Sequence, residues 1–145
     1  MKSMTESELF FIDTNVLIYA YDKNENSKRG TAEKIVRKIF NKEINAAVSN
    51  QSLAEFVYVV TKKNILDFEH AKTIVHDFLN FEKILNMDYS GDTVLSAIKI
   101  SKDFSIPFWD SLIAATMGEN HIYNIYTENT RDFKVPWINA INPFK

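Results

Sequence analysis

Apolar residues along this chain arrive in two rhythms. Short runs of three to four residues, at 9–12 and 46–48, read as buried β-strands, and Ile84–Met87, Asn124–Tyr126 and 137–140 are further strand candidates. Between them lie longer stretches with a helical period. In 27–42, Ile35, Val36, Ile39 and Phe40 share one face, while Lys28, Arg29, Lys34, Arg37 and Lys38 lie elsewhere. Residues 15–21 make a turn or two of helix. Residues 51–63 form a helix for which Ser49 or Asn50 is the candidate cap. In 68–81 the stripe is Ala71, Ile74, Val75, Phe78 and Leu79. In 92–104 the inward residues are Val94, Leu95, Ile98 and Ile100. Pro107 interrupts, and 108–118 makes a short apolar helix. Strands alternating with helices predict an α/β fold with a mainly parallel sheet.

That fold gives meaning to one polar position. Residues 9–12 are followed at once by Asp13 and then by a second apolar segment. In open parallel sheets, ligands bind beyond the carboxyl ends of the strands, where strand order reverses. Asp13 stands at such an end. It is equally placed to cap the helix that begins near Asn15.

Length and composition narrow the classes. The 145 residues suit one domain spanning 1–145, with a single sizeable core. Three Gly and three Pro leave little room for linkers, and no repeat is visible. With no Cys, disulfides and thiolate metal sites are excluded, which is compatible with the cytoplasm. The first ten residues lack a signal peptide's apolar core, and no apolar run is long enough to span a membrane. A net charge of −2 rules out a generally basic nucleic-acid binder, so contacts with phosphates must come from local patches or bound cations.

Three further acids share Asp13's setting. Glu55 lies inside LAEFV and Asp110 inside FWDSLI. Asp132 closes the segment TENTRDF, which follows a strand-like run. A single carboxylate in apolar company is usually a cap or a salt bridge. Several together repel one another unless positive charge is supplied. An oxygen-only donor set without Cys suits Mg²⁺ or Mn²⁺.

On these residues the sequence resembles the PIN-domain family, and most of all the VapC-type ribonuclease toxins of toxin–antitoxin systems. The resemblance runs from FFIDTNVLIYAYD to TENTRDF. The family's first acid matches Asp13, its second Glu55 in SLAEF, and its third Asp110 in FWDSLIAA. Some members have Asp where this chain has Asn129, which leaves Asp132 to act directly, through water, or structurally. The resemblance implies a three-layer α/β/α sandwich, Mg²⁺- or Mn²⁺-dependent cleavage of RNA, a homodimer, and an antitoxin partner that blocks the site. It implies metal ligation by Asp13, Glu55 and Asp110, with Asp132 completing the catalytic acids. Thr14, Asn15, Ser111, Thr127 and Asn129 are then candidate orienting residues. Arg131, Lys62 and Lys63 are candidate RNA contacts. Tyr19, Tyr21, Trp109 and Trp137 are candidate base-stacking residues, although Trp109 reads as core.

Other readings are weaker. His70 and His76 are too far apart for a one-turn ligand pair, and His121 is alone, so all three are expected on the surface or in turns. FFIDTN also resembles haloacid-dehalogenase-type phosphatases, but those carry a second Asp where this chain has Asn15. The non-enzymatic alternative is a degenerate PIN-like module that binds RNA or protein, and Asn129 is the residue that raises it.

Overall fold

The computed structural model describes residues 8–145. Residues 1–7, on which part of the reading of the chain's start rests, lie outside that range. The elements follow in the order β1 (Phe10–Ile12), α1 (Thr14–Tyr21), α2 (Arg29–Phe40), β2 (Ala46–Ser49), α3 (Asn50–Lys62) and α4 (Phe68–Asn80). Then come β3 (Ile84–Met87), α5 (Gly91–Phe104), α6 (Phe108–Glu119), β4 (Asn124–Tyr126), a 3₁₀ turn (Thr130–Phe133) and β5 (Asn139–Ile141). The last strand starts two residues later than its apolar run suggests, because Trp137 and Ile138 pack before the pairing with β4 begins.

The five strands form one sheet in the order β3-β2-β1-β4-β5, and every pairing is parallel. β1 pairs with β2 on one side and β4 on the other, so strand order reverses at β1. Inner strands are covered on both faces: all four residues of β2 are buried, whereas the edge strand β3 buries only its first and last. The period of two sends neighbouring side chains to different layers. Ile12, Ala46 and Val48 join a core beneath α1–α4. Phe11 and Ala47 join Ile113, Met117 and Ile125 on the opposite face, beneath α6. The result is the α/β/α sandwich.

Side-chain chemistry sets the helix ends. Ser49 accepts the amide of Ser52 at 3.0 Å, and Asp67 that of His70 at 2.8 Å. Ser90 and Thr93 form a reciprocal capping box. Helix α5 corrects one expectation. Its buried residues are Thr93 and Ala97, with Val94 and Ile100 partly covered, while Leu95 is 66% and Ile98 52% exposed. Small side chains at 93 and 97 let α5 lie close to α6, and the face carrying Leu95 and Ile98 then turns outward. Leu79, expected in the stripe of α4, is also largely exposed. All three histidines are exposed, as expected.

Candidate active site

Asp13 follows the last residue of β1, at the reversal point of the sheet. It is both cap and cleft residue. Its Oδ1 accepts the backbone amide of Thr14 at 2.9 Å, and its Oδ2 accepts the Thr127 hydroxyl at 2.7 Å. Asn15 adds a longer contact from Nδ2 to Oδ2, at 3.4 Å, and its Oδ1 accepts the amide of Glu128. Thr127 follows β4 as Asp13 follows β1. The strand pairing Ile12–Tyr126 therefore delivers the two side chains to each other across 114 positions of sequence. The Thr127 hydroxyl also accepts the amide of Asn129, which fixes the turn leading to Asp132.

The other acids come from other elements. Glu55 is exposed, one turn into α3, and its Oε1 accepts Gln51 Nε2 at 3.2 Å. Gln51 also donates to the Trp109 carbonyl at 3.3 Å, which ties α3 to the start of α6. Asp110 lies half-buried in the first turn of α6, and Asp132 in the 3₁₀ turn after β4.

Electrostatics shows that these four share one place. Burial raises the Asp13 carboxyl above its ordinary range, offset in part by Thr127 and Thr14, and the charges of Glu55 and Asp132 raise it further. Burial also pushes Asp110 up, to about 7, helped by Asp13, Asp132 and Glu55. Among the described residues, no Lys or Arg acts on either group. The arrangement is thus a concentration of negative charge that no side chain of the described residues neutralises. Hard oxygen donors of this kind fit Mg²⁺ or Mn²⁺ in chemistry. Among the described residues, no three Asp, Glu, His or Cys side chains lie close enough together, as placed, to hold a metal ion.

The candidate orienting residues divide. Thr14, Asn15 and Thr127 are gathered around Asp13. Ser111 is fully buried, and its hydroxyl donates to the Pro107 carbonyl, one turn back in its own helix. Asn129 is exposed and joins the group through its backbone. Of the candidate RNA contacts, Arg131 is exposed on the turn that carries Asp132. Lys62 and Lys63 lie at the far end of α3, about 10 Å along its axis beyond Glu55. Lys62 sits over the Tyr58 ring and donates to its hydroxyl.

Two features escaped sequence reasoning. Lys28 pairs with Glu128, whose Oε1 also accepts the Tyr19 hydroxyl at 2.7 Å. Burial favours protonation of Glu128, but hydrogen bonds from Lys28 and Tyr19 outweigh it and hold the carboxyl below its usual range. The two partners are 100 positions apart, and no local pattern announces them. The second is Trp109, expected in the core and found 61% exposed. Residues 111–117 are all buried, with Ile113 and Met117 against the sheet and Leu112 and Ala115 against α5, so α6 is covered on two sides beyond its first turn.

A three-layer α/β protein with a carboxylate cluster at the switch point of a parallel sheet is the class that fold and site define. Within that class the chain belongs to the PIN-domain family, whose family model matches residues 10–136. The chain is similar in structure to VapC20 of Mycobacterium tuberculosis, a toxin that cleaves the sarcin–ricin loop. The identity is 15%, the TM-score 0.68, and the match covers 89% of this chain and 96% of that one. It is also similar to VapBC2 of Rickettsia felis bound to a DNA fragment from its promoter (21%, TM-score 0.66, 92% and 98% covered). A toxin–antitoxin complex from Klebsiella pneumoniae gives 19%, a TM-score of 0.64, and 92% and 97% coverage. At these identities the likeness is one of fold. No curated protein matches the chain in sequence.

Proposed function

We propose that this protein is a divalent-metal-dependent endoribonuclease, the toxin of a toxin–antitoxin pair. One observation carries the reading: Glu55 and Asp132 act on both Asp13 and Asp110 from separate segments, and no Lys or Arg of the described residues acts on either of those two. In this reading Asp13, Glu55 and Asp110 hold Mg²⁺ or Mn²⁺, and Asp132 completes the acidic wall in place of Asn129. When bound, the ion supplies Lewis acidity and neutralises charge on a phosphodiester. The chain's own residues supply position. Thr14 and Thr127 fix both oxygens of Asp13, and Gln51 restrains Glu55. Arg131 stands on the rim as a phosphate contact. The toxin role, the antitoxin partner and the homodimer are proposed from the shared fold of the toxin–antitoxin complexes named above.

The test is cleavage of a fluorescent RNA by purified protein in Mg²⁺ or Mn²⁺, against a chelated control. Asp13→Asn is expected to abolish cleavage while the protein stays folded by circular dichroism. Unchanged turnover by the folded variant would sink the assignment. RNA binding without cleavage in any divalent ion would favour the non-catalytic module instead.

A further inference from the structure

An open groove of about 830 Å³ runs beside the carboxylate cluster. It is lined by Asn50, Gln51 and Glu55 of α3, by Asp88 and Tyr89 after β3, and by Trp109. Glu55 belongs to both groove and cluster, and Trp109 precedes Asp110 in the chain. The volume falls in the range of about 300–1,000 Å³ usual for small-molecule sites. Two aromatic rings stand in water here: Trp109 is 61% and Tyr89 40% exposed. Trp109 meets Phe108 edge-on at 5.6 Å, a contact that leaves most of its surface uncovered.

The polar lining is selective. It holds two carboxylates and no Lys or Arg, so it repels a phosphate and suits a flat, neutral group that donates hydrogen bonds. Gln51 spends its amide protons on Glu55 and the Trp109 carbonyl, which leaves its oxygen as an acceptor. Asp88 receives the Tyr89 amide at 2.8 Å on Oδ1, which steadies the carboxylate and leaves Oδ2 and the second lone pair of Oδ1 for a ligand. Asn50 accepts from Asn86 on its oxygen, which leaves its NH₂ as a donor.

We propose that this groove takes an unpaired guanine of the RNA beside the scissile bond, stacked on Trp109 and Tyr89 and held by Asp88. The proposal rests on the ribonuclease reading above and adds the base that the site prefers. Guanine alone of the four bases presents two adjacent N–H donors on its Watson–Crick edge, N1–H and N2–H₂, which match the two oxygens of a carboxylate. Its O6 remains for the Asn50 amide. Uracil flanks its N3–H with two carbonyls that a carboxylate repels. Adenine and cytosine each set one amino group beside an acceptor nitrogen. Stacking accepts any base, and the carboxylate makes the choice.

Trp109 and Trp137 are the chain's two tryptophans, so Trp137→Phe makes Trp109 the sole indole reporter. This protein is titrated in Mg²⁺ with GMP, AMP, CMP and UMP, none of which contains a phosphodiester to cut. GMP is expected to quench Trp109 saturably, at least about fivefold more tightly than the other three. Tyr89→Ala is expected to weaken all binding about tenfold. Asp88→Asn should erase the preference for GMP and leave AMP unchanged, an effect that loss of structure would not produce. Equal quenching by all four, or none by any, overturns the proposal. So does quenching by a partner protein alone, which would make the groove a peptide site. The nuclease reading fails separately: GMP binding by a protein that cuts no RNA keeps the guanine site and removes the nuclease. Cleavage without GMP binding does the reverse.

Discussion

Asp110 carries the clearest pH signature of any single residue here. Its folded carboxyl titrates near 7, against an ordinary value of 3.8. Between those values the folded state holds a proton that the unfolded state has released, so stability falls as pH rises. Asp110→Asn removes the cost. It is expected to stabilise the metal-free protein at pH 8 by roughly 1–2 kcal/mol, after discounting for the solvent that reaches the group, and to leave stability at pH 4 nearly unchanged. Denaturant melts at the two pH values measure this, and an equal effect at both would show that burial and charge are not the cause. Asp13, Glu55 and Asp110 were legible in the sequence because each is a charge set where the pattern calls for apolar residues, and Asp132 because it closes a polar segment just after a strand-like run. Exposure was not legible in the same way. Glu55 sits among Leu53, Ala54, Phe56 and Val57, yet only Leu53 and Phe56 are buried, because α3 turns 54 and 55 toward the cleft.

Among the elements, helix ends offer the most direct test. Ser105 closes α5 with φ 56°, in the left-handed region where a side chain is strained and glycine is not. Its hydroxyl is not what ends the helix, so Ser105→Gly is expected to stabilise the fold by about 0.5–1 kcal/mol and raise its melting temperature. The opposite applies at Ser49. Removing its cap to α3 by Ser49→Ala is expected to cost about 1 kcal/mol in a urea titration. The start of α3 was readable from its candidate caps Ser49 and Asn50, and so were the strands, whereas Asp67 and Ser90, which cap α4 and α5, were not singled out. Which face of α5 turns inward was not. A count of apolar residues favours Leu95 and Ile98, but the small Thr93 and Ala97 decide how closely α5 can approach α6.

At the scale of the whole molecule, the exposed apolar residues bear on assembly. Phe56 and Phe78 complete the core, so they are not free to form an interface. Leu95 and Ile98 are, one turn apart on the outer face of α5. The proposed homodimer is expected to give twice the 16.8 kDa chain mass by light scattering at micromolar concentration, and Leu95→Glu with Ile98→Glu to halve it. A double variant that stays dimeric would place the interface elsewhere. Among the described residues, no helix is long and apolar enough to cross a membrane.

The pairing of β1 with β4 also has a temporal side. Asp13 emerges early during synthesis, but the hydroxyl that holds it belongs to a residue made 114 positions later. Until β4 slots in beside β1, the central strand has a bare edge, and Asp132 has not reached the other acids. The four acids therefore cannot gather until β4 and the turn after it have been made. On the ribonuclease reading, this order of assembly keeps a growing chain from cutting RNA, its own messenger included, until the fourth strand is in place.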